Sequence, residues 1–141
     1  VDGSSPSIHA LEYAAERQRA LPDTKILVVS VQSPLRPSRV LTRALIAEHH
    51  KRSAGAALAP ARAAIRRLKI KASLHTAIGE PAAAIVSFAK KKRCDEIAMG
   101  NSGQGSIAGL VMGSIARKVV TLYVRPGETV TLPDGETCVQ Q

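Results

Sequence analysis

The sequence has very few aromatic side chains: its 141 residues include one Phe, two Tyr and no Trp. Aliphatic residues and alanine therefore have to form the hydrophobic core. The shortage also disfavours a specific nucleic-acid site, because proteins that bind single strands stack bases on aromatic rings. A chain of this length is most simply one domain, and it is long enough to bury a substantial core.

Cysteine is scarce as well. Cys94 and Cys138 are the only two, which is too few for a disulfide framework and indicates a reduced, cytoplasmic setting. No signal peptide opens the chain. The longest run without charge, residues 97–116, contains five Gly and three Ser, a composition unsuited to lipid. We therefore expect no membrane segment.

Acidic residues are outnumbered by basic ones, and the formal net charge is +9. Ten of the 20 Lys and Arg lie within 36–71, where Glu48 is the only acid, and four more form 90–93. Such clusters are usually solvated helix faces, and they predict salt-sensitive, non-specific attraction to polyanions. The four His have no metal-ligand spacing with the cysteines, and Ser114 has no neighbouring His to activate it. We therefore predict no catalytic residues.

Helical and strand-like segments alternate along the chain. Helices are predicted at 5–20, at 38–68 with a kink or a second start at Pro60, at 81–93, and from Ile115 onwards. Strands are predicted at 25–31, 70–77, 96–99 and 121–124. This alternation predicts an α/β fold with a doubly wound, mostly parallel sheet and helices on both faces.

The most informative stretch is the glycine-rich loop after the predicted strand at 96–99. Met99 and Gly100 lead to Gly103, and nine residues later Gly113 and Ser114 precede a helix, with Ser114 as its expected N-cap. Glycine lets a ligand approach the backbone closely, and a helix N-terminus attracts phosphate. The loop therefore predicts an anion site, although glycines in such loops also serve tight turns alone.

The spacing Gly-x2-Gly-x9-Gly-Ser resembles the nucleotide loop of the universal stress protein family. The stretches 1–5, 26–31 and 79–81 also resemble that family, so that the likeness covers 1–126. It implies a five-stranded, adenine nucleotide alpha-hydrolase-like sheet in a domain at 1–126, with a C-terminal tail at 127–141. It also implies that the first strand is truncated or missing upstream of Val1.

The resemblance further implies ATP, with Mg²⁺, as the ligand. Backbone amides of the loop and the Ser114 hydroxyl would hold the phosphates, and the Val31 backbone would pair with adenine. Asp2 would lie beside the ribose or act indirectly on the metal. Alternatively, Asp2 is a plain turn residue and Val31 a core residue. The implied nucleotide-binding residues are Asp2, Val31, Met99, Gly100, Gly103, Gly113, Ser114 and Ile115.

Two features of this sequence differ from the family pattern. Residues 101–116 carry no charge, whereas relatives often place His, Arg or Lys at the position of Ser102. The triphosphate would then depend on backbone dipoles, a divalent metal, and Arg117 or Lys118. In addition, a crossover helix needs about 11 residues, and too few separate Ser114 from the strand predicted at 121–124.

The implied function is a cytoplasmic, homodimeric sensor or regulator of the stress response that binds ATP and hydrolyses it weakly or not at all. The last strand would form the dimer interface. One alternative is a slow ATPase or self-phosphorylating enzyme. The other is a basic module that binds nucleic acid or protein without a nucleotide, although specific nucleic-acid binding is not expected.

Overall fold

The computed structural model describes residues 1–38, 41–100, 113–123, 129–131 and 137–139. The helices are α1 (Ser5–Ala20), α2 (Arg43–Leu68), α3 (Pro81–Lys92) and α4 (Ser114–Tyr123). The strands are β1 (Ile26–Gln32), β2 (Ala72–Ile78), β3 (Thr129–Thr131) and β4 (Thr137–Val139). The predicted alternation of helices and strands is therefore present from α1 to α3.

The central feature is a parallel pair of strands. β1 and β2 run side by side with Val28 opposite Leu74 and Val31 opposite Ala77. Within the described residues this pair and the antiparallel hairpin of β3 and β4 are the two sheets. The α/β class with a parallel sheet is thus confirmed, while the five strands and the doubly wound order stay predictions. The hairpin lies in the segment predicted as a tail.

Helices contact both faces of this pair of strands. On one face α1 and α2 cover β1 with a cluster of buried residues, namely Leu11, Ile26, Val28, Leu58, Ala61 and Ala64. Side chains alternate between faces along a strand, so His75 points away from the face of Leu74. The His75 ring centroid lies 5.2 Å from that of Phe88 in α3. The opposite face is therefore covered by α3.

The first two helices show how local sequence sets helix ends. α1 begins where predicted, with the Ser4 hydroxyl accepting from the Ser7 N–H at 3.4 Å. α2 begins at Arg43 rather than near Ser38, because Thr42 is its N-cap and accepts from the Leu45 N–H at 3.3 Å. The helix continues through Pro60, so the second start expected there is wrong.

The strand predicted at 96–99 is not formed, because no described strand pairs with it. Its apolar side chains are nevertheless packed: Ile97 and Met99 lie against Ala82, Val86 and Val119. The apolar pattern therefore predicted correctly that the segment faces a core. It could not supply the hydrogen-bonding neighbour that a strand requires.

The strand predicted at 121–124 is also wrong over 121–123, because α4 continues to Tyr123. Val124 lies outside the described residues. β-branched residues favour strands only weakly, and packing overrides such preferences. Ala116 and Val119 are buried on one side of α4, with Val119 against α3. The ten-residue helix removes the difficulty of a short crossover, and the segment proposed as a dimer strand is helical up to Tyr123.

Candidate functional site

The N-terminal residues lie along the edge of β1 that faces away from β2. The Val1 nitrogen donates to the Val29 carbonyl oxygen at 2.6 Å. Asp2 then turns the chain into α1: its Oδ1 accepts from the Ser4 N–H at 3.0 Å and from the Ser4 hydroxyl at 2.6 Å. These bonds orient the Asp2 carboxylate at the start of α1, beside the carboxyl-terminal half of β1.

The backbone of Val31 points toward the same edge. In an extended strand the N–H and C=O of one residue point to one side, and residues two apart repeat that direction. The Val29 C=O points toward Val1, whereas the Gln32 C=O accepts from the Gly79 N–H beside β2 at 3.0 Å. The N–H and C=O of Val31 therefore point away from β2, toward the side on which Asp2 follows Val1.

Gly100 lies against the first turn of α1. A Cβ atom added to Gly100 would lie 2.7 Å from the Pro6 carbonyl carbon and 2.8 Å from its oxygen. Such distances are far below van der Waals contact, so only glycine fits without a shift of the backbone. The loop after Met99 therefore begins directly beside Asp2 and the N-terminus of α1.

The segment leading to Gly100 is held to α1 at its other end too. Glu96 pairs with Arg17 at 3.4 Å, and burial and a hydrogen bond to Glu96 raise the pKa of Tyr13. Arg17 and Pro6 are eleven positions apart in α1, about 16 Å. The four steps from Glu96 to Gly100 span about 13 Å when extended. The segment thus runs extended and antiparallel to α1.

α4 begins at Ser114, which corrects the predicted cap by one residue. The Gly113 carbonyl accepts from the Arg117 N–H at 3.0 Å, which is the first bond of the helix. Gly113 thus occupies the N-cap position and Ser114 is the first helical residue. The N–H groups of Ser114, Ile115 and Ala116 precede that bond and have no acceptor within the helix. Ser114 and Ile115 are exposed.

Side chains from α3 fix the position of α4. Val119 packs with Ala82, Val86 and Met99, and Lys118 pairs with Glu80 at 3.7 Å. Glu80 is also the N-cap of α3, since its carboxylate accepts from the Ala83 N–H at 2.9 Å. One carboxylate therefore caps α3 and contacts α4.

The structure brings several predicted site residues into one region. Asp2 and Gly100 lie at the N-terminus of α1, the Val31 backbone points toward the same edge of β1, and Met99 packs against the cluster between α3 and α4. Gly113, Ser114 and Ile115 form the start of α4. Gly103 lies outside the described residues. The region thus combines glycine backbone, a helix N-terminus and one oriented carboxylate.

Groups that would support covalent or metal chemistry are sparse in the part of the chain that the structure describes. There, no group of three or more His, Cys, Asp and Glu is arranged to hold a metal ion. Burial and the neighbouring Asp95 raise the pKa of the Cys94 thiol, which disfavours the nucleophilic thiolate. Among the same residues no helix is long and apolar enough to cross a membrane.

The contacts by which Pro6, Glu80 and Lys118 position the site depend on tertiary structure. Pro6, in the first turn of α1, packs against Gly100. Glu80 directly precedes Pro81 at the beginning of α3, a spacing that identifies an N-cap residue. The pairing of Glu80 with Lys118 joins distant segments and left no trace in the local sequence.

Comparisons with known proteins agree on one family. The sequence profile of the Universal stress protein family matches residues 1–122. Universal stress protein MJ0531 of Methanocaldococcus jannaschii is 37% identical over 65 residues, which are 45% of this chain and 38% of that protein. The structure of a universal stress protein from Archaeoglobus fulgidus superposes with a TM-score of 0.60 at 25% identity, covering 86% of each chain. The chain thus matches well under half the length of its curated relative.

Proposed function

Because the chain belongs to the universal stress protein family, we propose that it binds ATP between the N-terminus of α1, the end of β1 and the start of α4. The nucleotide would control its affinity for a partner in a stress response. The proposal includes a cytoplasmic homodimer whose interface does not use residues 121–123 as a strand, since those residues are helical.

The direction of the Val31 backbone is the observation that carries this proposal. Adenine presents a donor and an acceptor side by side, which match the C=O and N–H of one extended residue. Val31 directs both groups away from β2, toward the edge shared with Val1. Because only the backbone of Val31 would contact adenine, its side chain can be apolar. Adenine specificity would therefore arise from strand geometry.

The start of α4 supports a phosphate position. The N–H groups of Ser114, Ile115 and Ala116, which have no acceptor within the helix, carry the positive end of the helix dipole, which favours an anion. The Ser114 hydroxyl would add a further donor. Gly113 places no side chain at the N-cap position of α4, whereas Gly100 allows the start of the loop to pack closely on Pro6. The contribution of Gly103 remains a prediction.

Charge for the triphosphate would come from few side chains. Lys118 lies in the second turn of α4 and holds Glu80 at 3.7 Å in an exposed pair. Exposed pairs of this kind contribute little, so a phosphate could replace Glu80 at small cost. Asp2 would contact a ribose hydroxyl, or would act on the metal through a metal-bound water. A single carboxylate is too few ligands to hold Mg²⁺ directly. The fit therefore supports a magnesium-assisted nucleotide rather than a permanent metal.

The residues of the proposed phosphate site fit a nucleotide-binding regulator better than an ATP-hydrolysing enzyme. Hydrolysis needs a group that activates or orients water beside the terminal phosphate. Ser114 and Ile115 lead into the helix without an adjacent acidic or His side chain in the sequence. We therefore propose that any hydrolysis is slow, and that bound ATP mainly stabilises the contact of α4 with α3.

Removal of a single backbone donor tests the phosphate position. Proline is tolerated at the first helical position but has no N–H, so Ser114→Pro deletes one donor while preserving α4. Ser114→Ala is the matched control, since it removes the hydroxyl and keeps the N–H. We expect calorimetric titration with Mg·ATP to show micromolar binding, weakened at least about tenfold by Ser114→Pro and less by Ser114→Ala.

Mass spectrometry of nucleotides released by denaturation, and a turnover assay, complete the test. Co-purified ATP and negligible turnover would support the regulator. Turnover that disappears in Ser114→Pro would instead establish the ATPase alternative. No binding at millimolar ATP, with circular dichroism unchanged, would contradict the proposal and favour the basic module without a nucleotide.

A further inference from the structure

A cavity of about 310 Å³ lies between α2 and the carboxyl-terminal ends of β1 and β2. Gln32, Thr76 and Ile78 line it from the strands, and α2 forms the opposite wall. This volume is at the small end of the range for ligand pockets, which is roughly 300–1,000 Å³. The cavity is therefore large enough for a small organic molecule.

A glycine in the middle of α2 keeps this space open. Gly55 lines the cavity, and a Cβ atom added to it would meet no atom within 4 Å. Glycine is a poor residue for a helix interior, so α2 has the less stable choice at the position facing the void. The buried Ala54 and Leu58 make the adjoining wall apolar. The interior thus suits a non-polar group.

Two positive side chains and one histidine, all from α2, line the same space. His50, Lys51 and Arg62 line the cavity, and no Asp or Glu does so among the described residues. The acid nearest in sequence, Glu48, pairs with Arg52 at 3.6 Å. Within the part of the chain that the structure describes, neither Lys51 nor Arg62 forms an ion pair. No carboxylate of the described residues is therefore paired with either of these two charges.

His50 adds an oriented ring to this lining. Its Nε2 lies 3.1 Å from the Ser33 carbonyl oxygen, and a carbonyl can only accept, so Nε2 carries the proton. The bond also ties α2 to the segment that follows β1. Hydroxyl and amide groups of Thr76 and Gln32 complete the polar part of the lining.

From the apolar wall and the unpaired cations together, we propose that this cavity binds a small organic anion with an apolar body, such as an aryl phosphate. The apolar part would lie over Gly55 and Leu58, and the anionic group would contact Arg62, with Lys51 adding positive charge at the other end of the cavity. The site is separate from the proposed nucleotide site, because β2 lies on the opposite edge of β1 from Val1.

Phenyl phosphate tests this inference, with inorganic phosphate and phenol as its two halves. We expect phenyl phosphate to shift the amide resonances of Gly55 and Thr76 in ¹H–¹⁵N spectra, and to bind at least about tenfold more tightly than either half. Added ATP should not displace it. Binding as weak as that of phosphate alone would overturn the proposal.

Two variant pairs assign binding to the cavity. Gly55→Leu fills the void, whereas Ala56→Leu adds the same side chain on the exposed side of α2. Arg62→Gln removes a lining charge, whereas Arg66→Gln removes an exposed charge one turn further along. We expect loss of binding in Gly55→Leu, roughly five- to tenfold weakening in Arg62→Gln, and little change in the controls.

Equal effects within a pair would reduce the binding to general attraction by a basic surface and overturn the proposal. Displacement by ATP, together with weaker ATP binding in Gly55→Leu, would make the cavity part of the nucleotide site and overturn it as well. Because the proposed nucleotide contacts are tested separately at Ser114, failure of one proposal leaves the other distinguishable.

Discussion

Two packed regions of this protein differ in how they are built. Between β1 and the pair α1 and α2, the buried residues include Leu11, Val28 and Leu58. Between α3 and α4, the buried residues are Ala82, Val86 and Val119. The first region therefore removes much more apolar surface from water, and we expect it to dominate the stability of the domain.

The smaller region carries most of the proposed phosphate contacts. Among the described residues it joins α4 to α3 through short side chains and an exposed ion pair, Glu80 with Lys118. Elements with few buried apolar contacts open at low free-energy cost. A ligand that bridges α4 and α1 would then stabilise the weaker region by mass action. The proposed binding contacts and most of the expected stability therefore belong to different clusters.

The comparison is tested most strongly by truncating one side chain in each cluster. Leu58→Ala should lower the free energy of unfolding by about 2–5 kcal/mol, because it leaves a cavity in the larger core. Val119→Ala should cost about 1–2 kcal/mol, since fewer methyl groups are lost. Urea denaturation followed by circular dichroism measures both. Equal losses would refute the inequality between the clusters.

Substitution by alanine should change the free energy of unfolding in opposite directions at Gly100, which is packed against α1, and at Gly55, which faces open space. Gly100→Ala forces a Cβ atom against Pro6 and should cost about 1–3 kcal/mol. Gly55→Ala enters open space in a helix and should stabilise by up to about 1 kcal/mol. Thermal unfolding of the two alanine variants provides a matched comparison. A neutral Gly100→Ala would mean that the loop tolerates displacement from α1.

A smaller effect is expected at the joint between α3 and α4. Glu80→Ala removes the N-cap of α3 and should cost about 1 kcal/mol. Glu80→Gln retains an acceptor for the Ala83 N–H and should cost less, while Lys118→Gln should change stability little because the pair is exposed. If Lys118→Gln proved the most costly of the three in urea denaturation, the ion pair rather than the cap would be the main joint.

The smallest effect concerns the ion pair that links α1 to α2. The hydrogen bond from Arg67 at 2.6 Å lowers the pKa of the Glu12 carboxyl below its ordinary value. A lowered folded pKa gives stability that is fully present above the ordinary value and is lost as pH falls through the folded one, at roughly pH 4 and below. NMR titration should show the Glu12 pKa rising in Arg67→Gln. An unchanged value would exclude the pair as its cause.

Local sequence patterns predicted the first two-thirds of the fold well. α1, β1, β2 and α3 lie within about two residues of their predicted bounds, because caps, prolines and periodic apolar positions act over short distances. For the site, the sequence predicted some residue positions but not the contacts between distant segments. Asp2 and Gly100 both lie at the start of α1, although 96–99 is not the strand from which this position was expected. The contacts of Gly100 with Pro6 and of Glu80 with Lys118 join segments far apart, which no local pattern encodes.

The sequence by itself determined the family, the α/β class and the helix start that follows the glycine-rich loop. Tertiary structure alone decided the state of two apolar segments. At 96–99 an extended, apolar run packs against α1 and α3 without becoming a strand, because strand formation requires a hydrogen-bonded neighbour. At 121–123 β-branched and aromatic residues remain helical, because α4 gains more from placing Ala116 and Val119 in a buried stripe than local preference opposes.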